Sequence, residues 1–417
     1  MSKQTSWQVL LAAFLLAATL PQQAQSTNIT VDGTDCSLTA AINSAYHDIA
    51  VGGCLAGSGE DDIITLKSDV VVSDPIYILD LIVIEGNGHT IRRAGDGGIV
   101  FHITSGCGYW VDEFESSWYG CAELTLNDVT IYSGLTNNSG AIYSLGGSLT
   151  LNNSTISGSN ASDSNEESRA SENDRLEIIA EIYGSTPLGG GAICNMYGTV
   201  ILNNSTVSGN STGKNGGGIC NQYGTVILNN STVSGNSAGA TYGAGGGIFT
   251  YYGTIKLNSS IVSGNTAAEG NEVADASLLS NNKSVITADS FNLFGHSGET
   301  SLQAFASRFT PGAGDMTATS DGIRPTVLSA ILGPLADNGG PTLTHALPAG
   351  SPAIDLDATC STGLTEDQRG YTRPVNLKCD AGAFEYGAAP DGKKANIIPV
   401  YKMLLLRGHS KKVGNKK

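Results

Sequence analysis

Residues 189–268 contain nearly the same sentence three times: GGGAICNMYGTVILNNSTVSGNSTG, NGGGICNQYGTVILNNSTVSGNSAG and GAGGGIFTYYGTIKLNSSIVSGNTA. Cys194 recurs as Cys220, Gly198 as Gly224 and Asn204 as Asn230, all at one constant offset. The third copy repeats the pattern, Ile219 to Ile248 and Val233 to Val262, with an insertion of three in AGATYGA. A fixed period in this range marks a stacked architecture in which each repeat buries its apolar face only against its neighbours. About 25 residues make three short strands and three turns, so equivalent side chains fall about 4.8 Å apart on successive turns. The expected fold is all-β, a right-handed parallel β-helix (a pectate-lyase-like solenoid) with an N-terminal capping helix.

The flanking sequence extends this pattern. Short β-branched runs punctuated by glycine, Ile63–Leu66, Val70–Val72, Ile76–Ile78, Ile82–Ile84 and Thr90–Ile91, follow one another without intervening helices. That spacing does not suit a βαβ fold. A further coil starts at Phe101-His102-Ile103 and resumes at Leu124–Ile131, around a loop holding Trp110, Phe114, Trp118 and Tyr119 between Cys107 and Cys121. A second, charged insertion occupies 162–188, with a helical turn or two expected at Arg175–Ile182. The stack is expected to end near Phe291–Gly295, giving a β-helix over 61–295 with insertions at 105–121 and 162–188.

Before the stack, Asn28–Asp32 reads as a strand. Asp35–Ala45 reads as a helix with Leu38, Ala41, Ile42 and Ala45 on one face, and Asp35 or Ser37 as N-cap. Such a helix covers the open end of the first coil, as a terminal repeat requires. Residues 1–26 have the form of a secretory signal peptide: Lys3, the apolar run Val9–Leu20, and Ala24-Gln25-Ser26 as a small-x-small cleavage site. The run is short for a membrane span, so no transmembrane span is expected in the mature chain and the location is extracellular or cell-surface.

Export makes the eight cysteines legible as disulfides. Proximity suggests Cys36/Cys54, Cys107/Cys121, Cys194/Cys220 and Cys360/Cys379, among the 105 connectivities that eight cysteines allow. For Cys194 and Cys220, a buried pair of stacked thiols is an equal alternative. The formal charge of −16 leaves no basic face for nucleic acid.

Two stretches carry family resemblances. DCSLTAAINSA followed by GGCLAGSGEDDIITL resembles the N-terminal module of exported β-helix proteins called the CSLREA domain, departing from it at Thr39-Ala40-Ala41; it would occupy 27–60. LGPLADNGGPT (332–342), continuing through HALPAGSPAIDLDATC to DQRGYTRPVNLKCDAGAFEYG, resembles the choice-of-anchor Q domain, which implies a C-terminal presentation region at 296–387 ahead of a surface anchor. Gly190-Gly191-Ala192-Ile193 is similar to a tetrad of the polymorphic outer-membrane proteins. A basic tail, 388–417, ends the chain.

The triple repeat is poor in chemistry. It holds Lys214 and Lys256, with Glu269 just beyond, and almost nothing else that titrates. A lyase needs clustered carboxylates for Ca²⁺ and a base; a hydrolase needs carboxylates facing one cleft. Asp61-Asp62, His89 and His296 read as structural, the two histidines as lone residues. Asp355, Asp357, Asp367, Arg369 and Arg373 read as a salt-bridged cap closing the C-terminal end. No zinc spacing and no calcium-binding nonapeptide occurs, so no cofactor, metal or catalytic residue is assigned.

Tyr197, Tyr223 and Tyr252 hold one repeat position, with Tyr251 beside the last, and are expected to stack as a ladder whose aromatic faces receive sugar rings. They are the candidate glycan-binding residues. The numerous Asn-x-Ser/Thr sites read as turn asparagines, whose side chains tolerate left-handed backbone and bond along the stack. The function expected is a structural, adhesive or glycan-binding surface protein without catalysis, its partner an extracellular polysaccharide or cell-wall component. The alternative is a carbohydrate-active enzyme, a polysaccharide lyase or glycoside hydrolase, with catalytic groups on the two insertions.

Overall fold

The structure, a computed structural model, describes residues 27–58, 62–95, 97–104, 109–111, 116–118, 122–137, 140–162, 189–239, 241, 243–275, 284–288, 291–306 and 309–390. Three parallel sheets run the length of a β-helix. The first sheet holds nine strands from Asn28–Val31 to Val285–Ala288, the second ten strands ending at Met316–Thr317, and the third seven strands ending at Val273–Asp275. Register follows the repeat: Ile193 pairs with Ile219 and then Ile248, and Val200 with Val226 and then Ile255. The stack runs past the expected end at 295, because Met316–Thr317 adds a rung under Leu293–Phe294.

Strand alternation builds the core. Ile193, Val200, Leu202 and Val207 point inward, as do Ile219, Val226, Leu228 and Val233 one turn on, all fully buried. Each strand contributes only one or two such residues, so no single coil has a core of its own. The stack is the unit of stability.

Polar side chains form files along the axis, buried in one and partly exposed in the later members of the other. Asn258, Asn229, Asn203, Asn152 and Asn127 form the first: each of the four later members donates through Nδ2 to the preceding copy at 2.7–2.8 Å, and Asn127 donates to Glu85 Oε1 at 3.0 Å. A second file runs the other way. Asn210 Nδ2 donates to Asn236 Oδ1, Asn236 Nδ2 to Asn265 Oδ1, and Asn265 Nδ2 to Glu272 Oε2. An amide file in which every member donates in one direction leaves an N–H at its end. A carboxylate, which only accepts, closes it.

The asparagine pairs of the repeat divide their work. The first of each pair lies in the file; the second, Asn153, Asn204 or Asn230, takes φ of +51°, +44° and +43° at the following turn. Asn tolerates this region because its short amide bonds locally. Both parts of the expected asparagine role therefore hold, on adjacent residues.

Helix α1 (Leu38–His47) covers the N-terminal end. Ser37 is its N-cap, accepting from Ala40 N at 3.2 Å, and Leu38, Ala41, Ile42 and Ala45 join the core. The disulfide Cys36–Cys54 fastens the loop that follows. The C-terminal end is closed by helix α2 (Ser301–Phe305), whose Gln303 and Ala304 carbonyls accept from Asn271 and Glu272 N. Phe305 and Phe309 pack edge-to-face on Phe294 beneath the last coil. A third helix, α3 (Leu328–Ile331), leads into the C-terminal region.

That C-terminal region corrects the sequence expectation. It does not cap the end but turns back along the outer wall as a strap. Thr342 and Leu343 meet Asn153 and Thr155, Gln368 meets Thr206, Ala383 meets Thr232, and Asp357 meets Ser259. These contacts cross four successive coils. Gln368 is fully buried: Nε2 donates to Thr155 and Thr342 Oγ1 at 2.8 Å, while Oε1 accepts from Thr206 at 2.6 Å.

Candidate functional site

Each tyrosine of the expected ladder sits in the turn from the third sheet to the first, at φ of +58° (Tyr197), +54° (Tyr223) and +51° (Tyr252). Left-handed backbone costs a β-carbon residue about 1–2 kcal/mol, so the turn must be held. Tyr197 N donates to the Gln222 carbonyl and Tyr223 N to the Tyr251 carbonyl, both at 2.9 Å. From inside, Asn195 and Asn221 Nδ2 donate to the Gly198 and Gly224 carbonyls at 3.0 Å, closing the turn on itself. The glycine after each tyrosine is obligatory on space: a Cβ at Gly198 would lie 2.3 Å from the Gly147 carbonyl of the preceding coil.

The rings stack as the spacing predicts. Tyr197 and Tyr223 lie 5.0 Å apart at 6°, and Tyr223 and Tyr252 lie 5.4 Å apart at 5°. Tyr251 stands edge-on to both Tyr223 and Tyr252. The three repeat tyrosines are 36–38% exposed. Burial among these rings and the Tyr251 hydroxyl push the Tyr223 phenol up to about 12. Stacking this tight uses both faces of Tyr223. The strip therefore offers outward ring edges and hydroxyls in a row, rather than the row of open faces expected from the sequence.

Of the charged constellation of the strap, Asp357, Asp367, Arg369 and Arg373 are buried, while Asp355 is half-buried and its amide donates to Asp380 Oδ1 at 2.7 Å. Asp367 accepts from Arg369 Nε at 2.9 Å and from the Glu385 amide at 3.0 Å; the Arg369 guanidinium lies 3.6 Å over the Phe384 ring and 4.4 Å over Tyr371. Arg373 donates to the Asp380 and Gly382 carbonyls, and burial pulls its pKa down. Asp380 is pushed up to about 7 by burial and then by Glu385, whose own pKa burial also raises. Burial pushes Asp357 up, but bonds from Ser259, Thr359 and Ser361 outweigh it and hold the carboxyl below its usual range. Asp380 and Glu385 are members the sequence reading missed. These groups are turned to backbone amides and carbonyls, to serine hydroxyls or to one another, which suits a strap core better than a cleft.

Cys360–Cys379 is bonded, as expected. Cys194 and Cys220 are in register, fully buried and unbonded. The contact with Cys220, followed by burial, raises the Cys194 thiol well above its ordinary pKa. They settle as a stacked thiol pair on the outer side of the third sheet, with Tyr143 and Met196 beside Cys194 and Phe249 beside Cys220. Cys107 and Cys121 lie outside the described residues. So do the insertion at 163–188 and, in the first insertion, Phe114 and Tyr119; Tyr109–Val111 and Ser116–Trp118 there pair antiparallel.

The histidines are not alone. His89 lies 3.4 Å from Asp69, and His296 lies 4.0 Å from Glu299, which stands next to buried Glu272. Asp62, read as structural, accepts from Thr27 and Ser58 amides, binding the first strand to the loop after α1. Among the described residues no helix is long and apolar enough to cross a membrane.

Comparison with known proteins finds no matching family model, no similar curated protein and no similar solved structure.

Proposed function

We propose that this chain is an exported, non-catalytic β-helix protein whose wall is a structural and adhesive surface, and that the tyrosine strip contacts an extracellular polysaccharide or cell-wall component. The observation that carries the reading is the strip itself: Tyr197, Tyr223, Tyr251 and Tyr252 form one continuous aromatic patch over three coils. Amphipathic rings of this kind present apolar edges beside hydroxyl donors, the mixture a sugar chain offers in return. Rungs about 4.8 Å apart repeat that contact along a line, which suits an extended polymer and many weak bonds. The strap supports the structural half of the proposal by locking successive coils from outside. The resemblances to CSLREA and choice-of-anchor Q modules support presentation at a surface.

Replacing Tyr197, Tyr223 and Tyr252 together by glycine keeps the turn conformation while deleting the rings. The triple variant is expected to fold and to lose retention on a glycan array and on insoluble cell-wall material. Unchanged retention by the folded variant refutes the strip. Release of reducing sugars or unsaturated products from a polysaccharide panel by the wild-type protein refutes the non-catalytic reading.

A further inference from the structure

The last coil ends in a group that neither the amide files nor the strap explains in full. Glu272 is fully buried, with Oε1 accepting from Gly264 N at 2.8 Å and Oε2 from Asn265 Nδ2 at 2.6 Å. Glu299 beside it is 4% exposed. Its Oε2 accepts from Asn271 Nδ2 at 2.7 Å, but its Oε1 is buried without a hydrogen-bond donor among the described residues. That oxygen points toward His296, 4.0 Å from Nε2. One ligand atom each from Glu272, His296 and Glu299 lies within 4.8 Å of the others. No Lys or Arg pairs with either carboxylate among the described residues.

Two adjacent carboxylates in a buried site need a positive partner. A proton is one solution and a metal ion is the other. Two carboxylates and one neutral imidazole balance a divalent charge, and they make a three-ligand set that leaves a position for water. The imidazole and the low donor count select against Ca²⁺, which takes six to eight oxygens, and for the borderline transition metals. Metal–ligand bonds of about 2.0–2.2 Å require the three groups to draw in slightly. His296 can do so, since its side chain is 22% exposed on a loop and its Nδ1 accepts from Gly298 N, two residues away, at 3.0 Å. Coordination through Nε2 sends the ring proton to Nδ1 and releases the Gly298 contact.

We propose that Glu272, His296 and Glu299 form a divalent transition-metal site of the zinc class, stapling the last rung to the capping helix α2. Glu272 immediately precedes the final third-sheet strand, while His296 and Glu299 lie in the link that leads into α2. The bound ion thus adds to the backbone bonds from Asn271 and Glu272 and the Asn271–Glu299 side-chain bond that already join these two segments.

The test is titration of chelator-treated, full-length mature protein with Zn²⁺ by calorimetry, with Ca²⁺ as comparison, together with thermal unfolding. One equivalent of Zn²⁺ is expected to bind more tightly than Ca²⁺ and to raise Tm. His296→Ala is expected to weaken binding at least about tenfold, and Glu299→Gln to abolish it. Should Glu299→Gln fail to fold, His296→Ala still decides, because its ring is partly exposed. A wild-type protein that takes up no Zn²⁺, as a pair sharing only a proton would, overturns the proposal. So does binding that is unchanged in the folded variants.

Discussion

Asn265 Nδ2 donates to Glu272 Oε2 at 2.6 Å, and that single bond ends a file of amides begun at Asn210. The same logic runs in reverse on the first sheet, where Glu85 receives the last N–H from Asn127. A polar file inside a β-helix wall is directional, and each direction ends on a carboxylate. Breaking the file in the middle strands several groups at once. Asn236 accepts from Asn210 N and Nδ2 and donates to Asn265 Oδ1 and the Val207 carbonyl. Asn236→Ala is therefore expected to cost about 2–4 kcal/mol, read as a lowered urea midpoint. A loss within a few tenths of a kcal/mol contradicts the file.

The turn tyrosines separate backbone strain from stacking. At φ +54°, alanine at position 223 keeps the left-handed penalty and loses both ring contacts. Glycine loses the contacts but relieves the strain. Tyr223→Gly should thus be more stable than Tyr223→Ala by about 1 kcal/mol, with both below the wild type. Equal stabilities in chemical denaturation count against a strained turn.

Asp128 occupies the position that Asn153, Asn204 and Asn230 hold in later coils, at φ +50°. Burial, with Glu85 and Glu366 nearby, pushes its carboxyl up to about 6, against a bond from Asn153. A carboxyl with a raised folded pKa holds more protons folded than unfolded. Its contribution is present below about pH 4 and is lost as pH rises through 6. Asp128→Asn is expected to stabilise the protein at pH 8 by up to about 3 kcal/mol and to flatten its Tm between pH 4 and 7. A variant no more stable at pH 8 than the wild type excludes this account.

Gln368 joins two coils and the strap through five oxygens. In Gln368→Glu an acceptor faces the oxygens that Nε2 now serves. The expected cost is about 3 kcal/mol or more, with early proteolytic cleavage inside 332–387 while the triple repeat stays protected. Cleavage at the wild-type rate argues against the strap.

Cys194 and Cys220 offer a kinetic check. Both thiols are fully buried, and a thiol shut away from water and reagent is a poor nucleophile. Peptide mapping after alkylation at pH 8 should find both unmodified in folded protein and both labelled in denaturant. Rapid labelling of either in native protein contradicts the stacked pair.

The constant offset that carries Cys194 to Cys220 and Tyr197 to Tyr223 was enough to establish the stack, its register and the tyrosine ladder, because a parallel coil converts sequence spacing directly into neighbourhood. The same holds for α1, whose apolar face is local, and for Cys36–Cys54 and Cys360–Cys379, which close short loops. Long-range placement was not legible. That Asp367, Arg369 and Arg373 lie on the wall instead of the end depends on Thr155, Thr206 and Thr232 as partners of the strap, all remote from it along the chain. The parallel, face-consuming stack of Tyr197, Tyr223 and Tyr252 depends on ring rotation, which spacing does not state. Glu272, His296 and Glu299 carry no motif, since they belong to the ending of one coil and the start of its cap. Repetition fixes what recurs along the axis. What happens once, at an end or across the wall, is decided by which unpaired polar groups the finished stack leaves to be met.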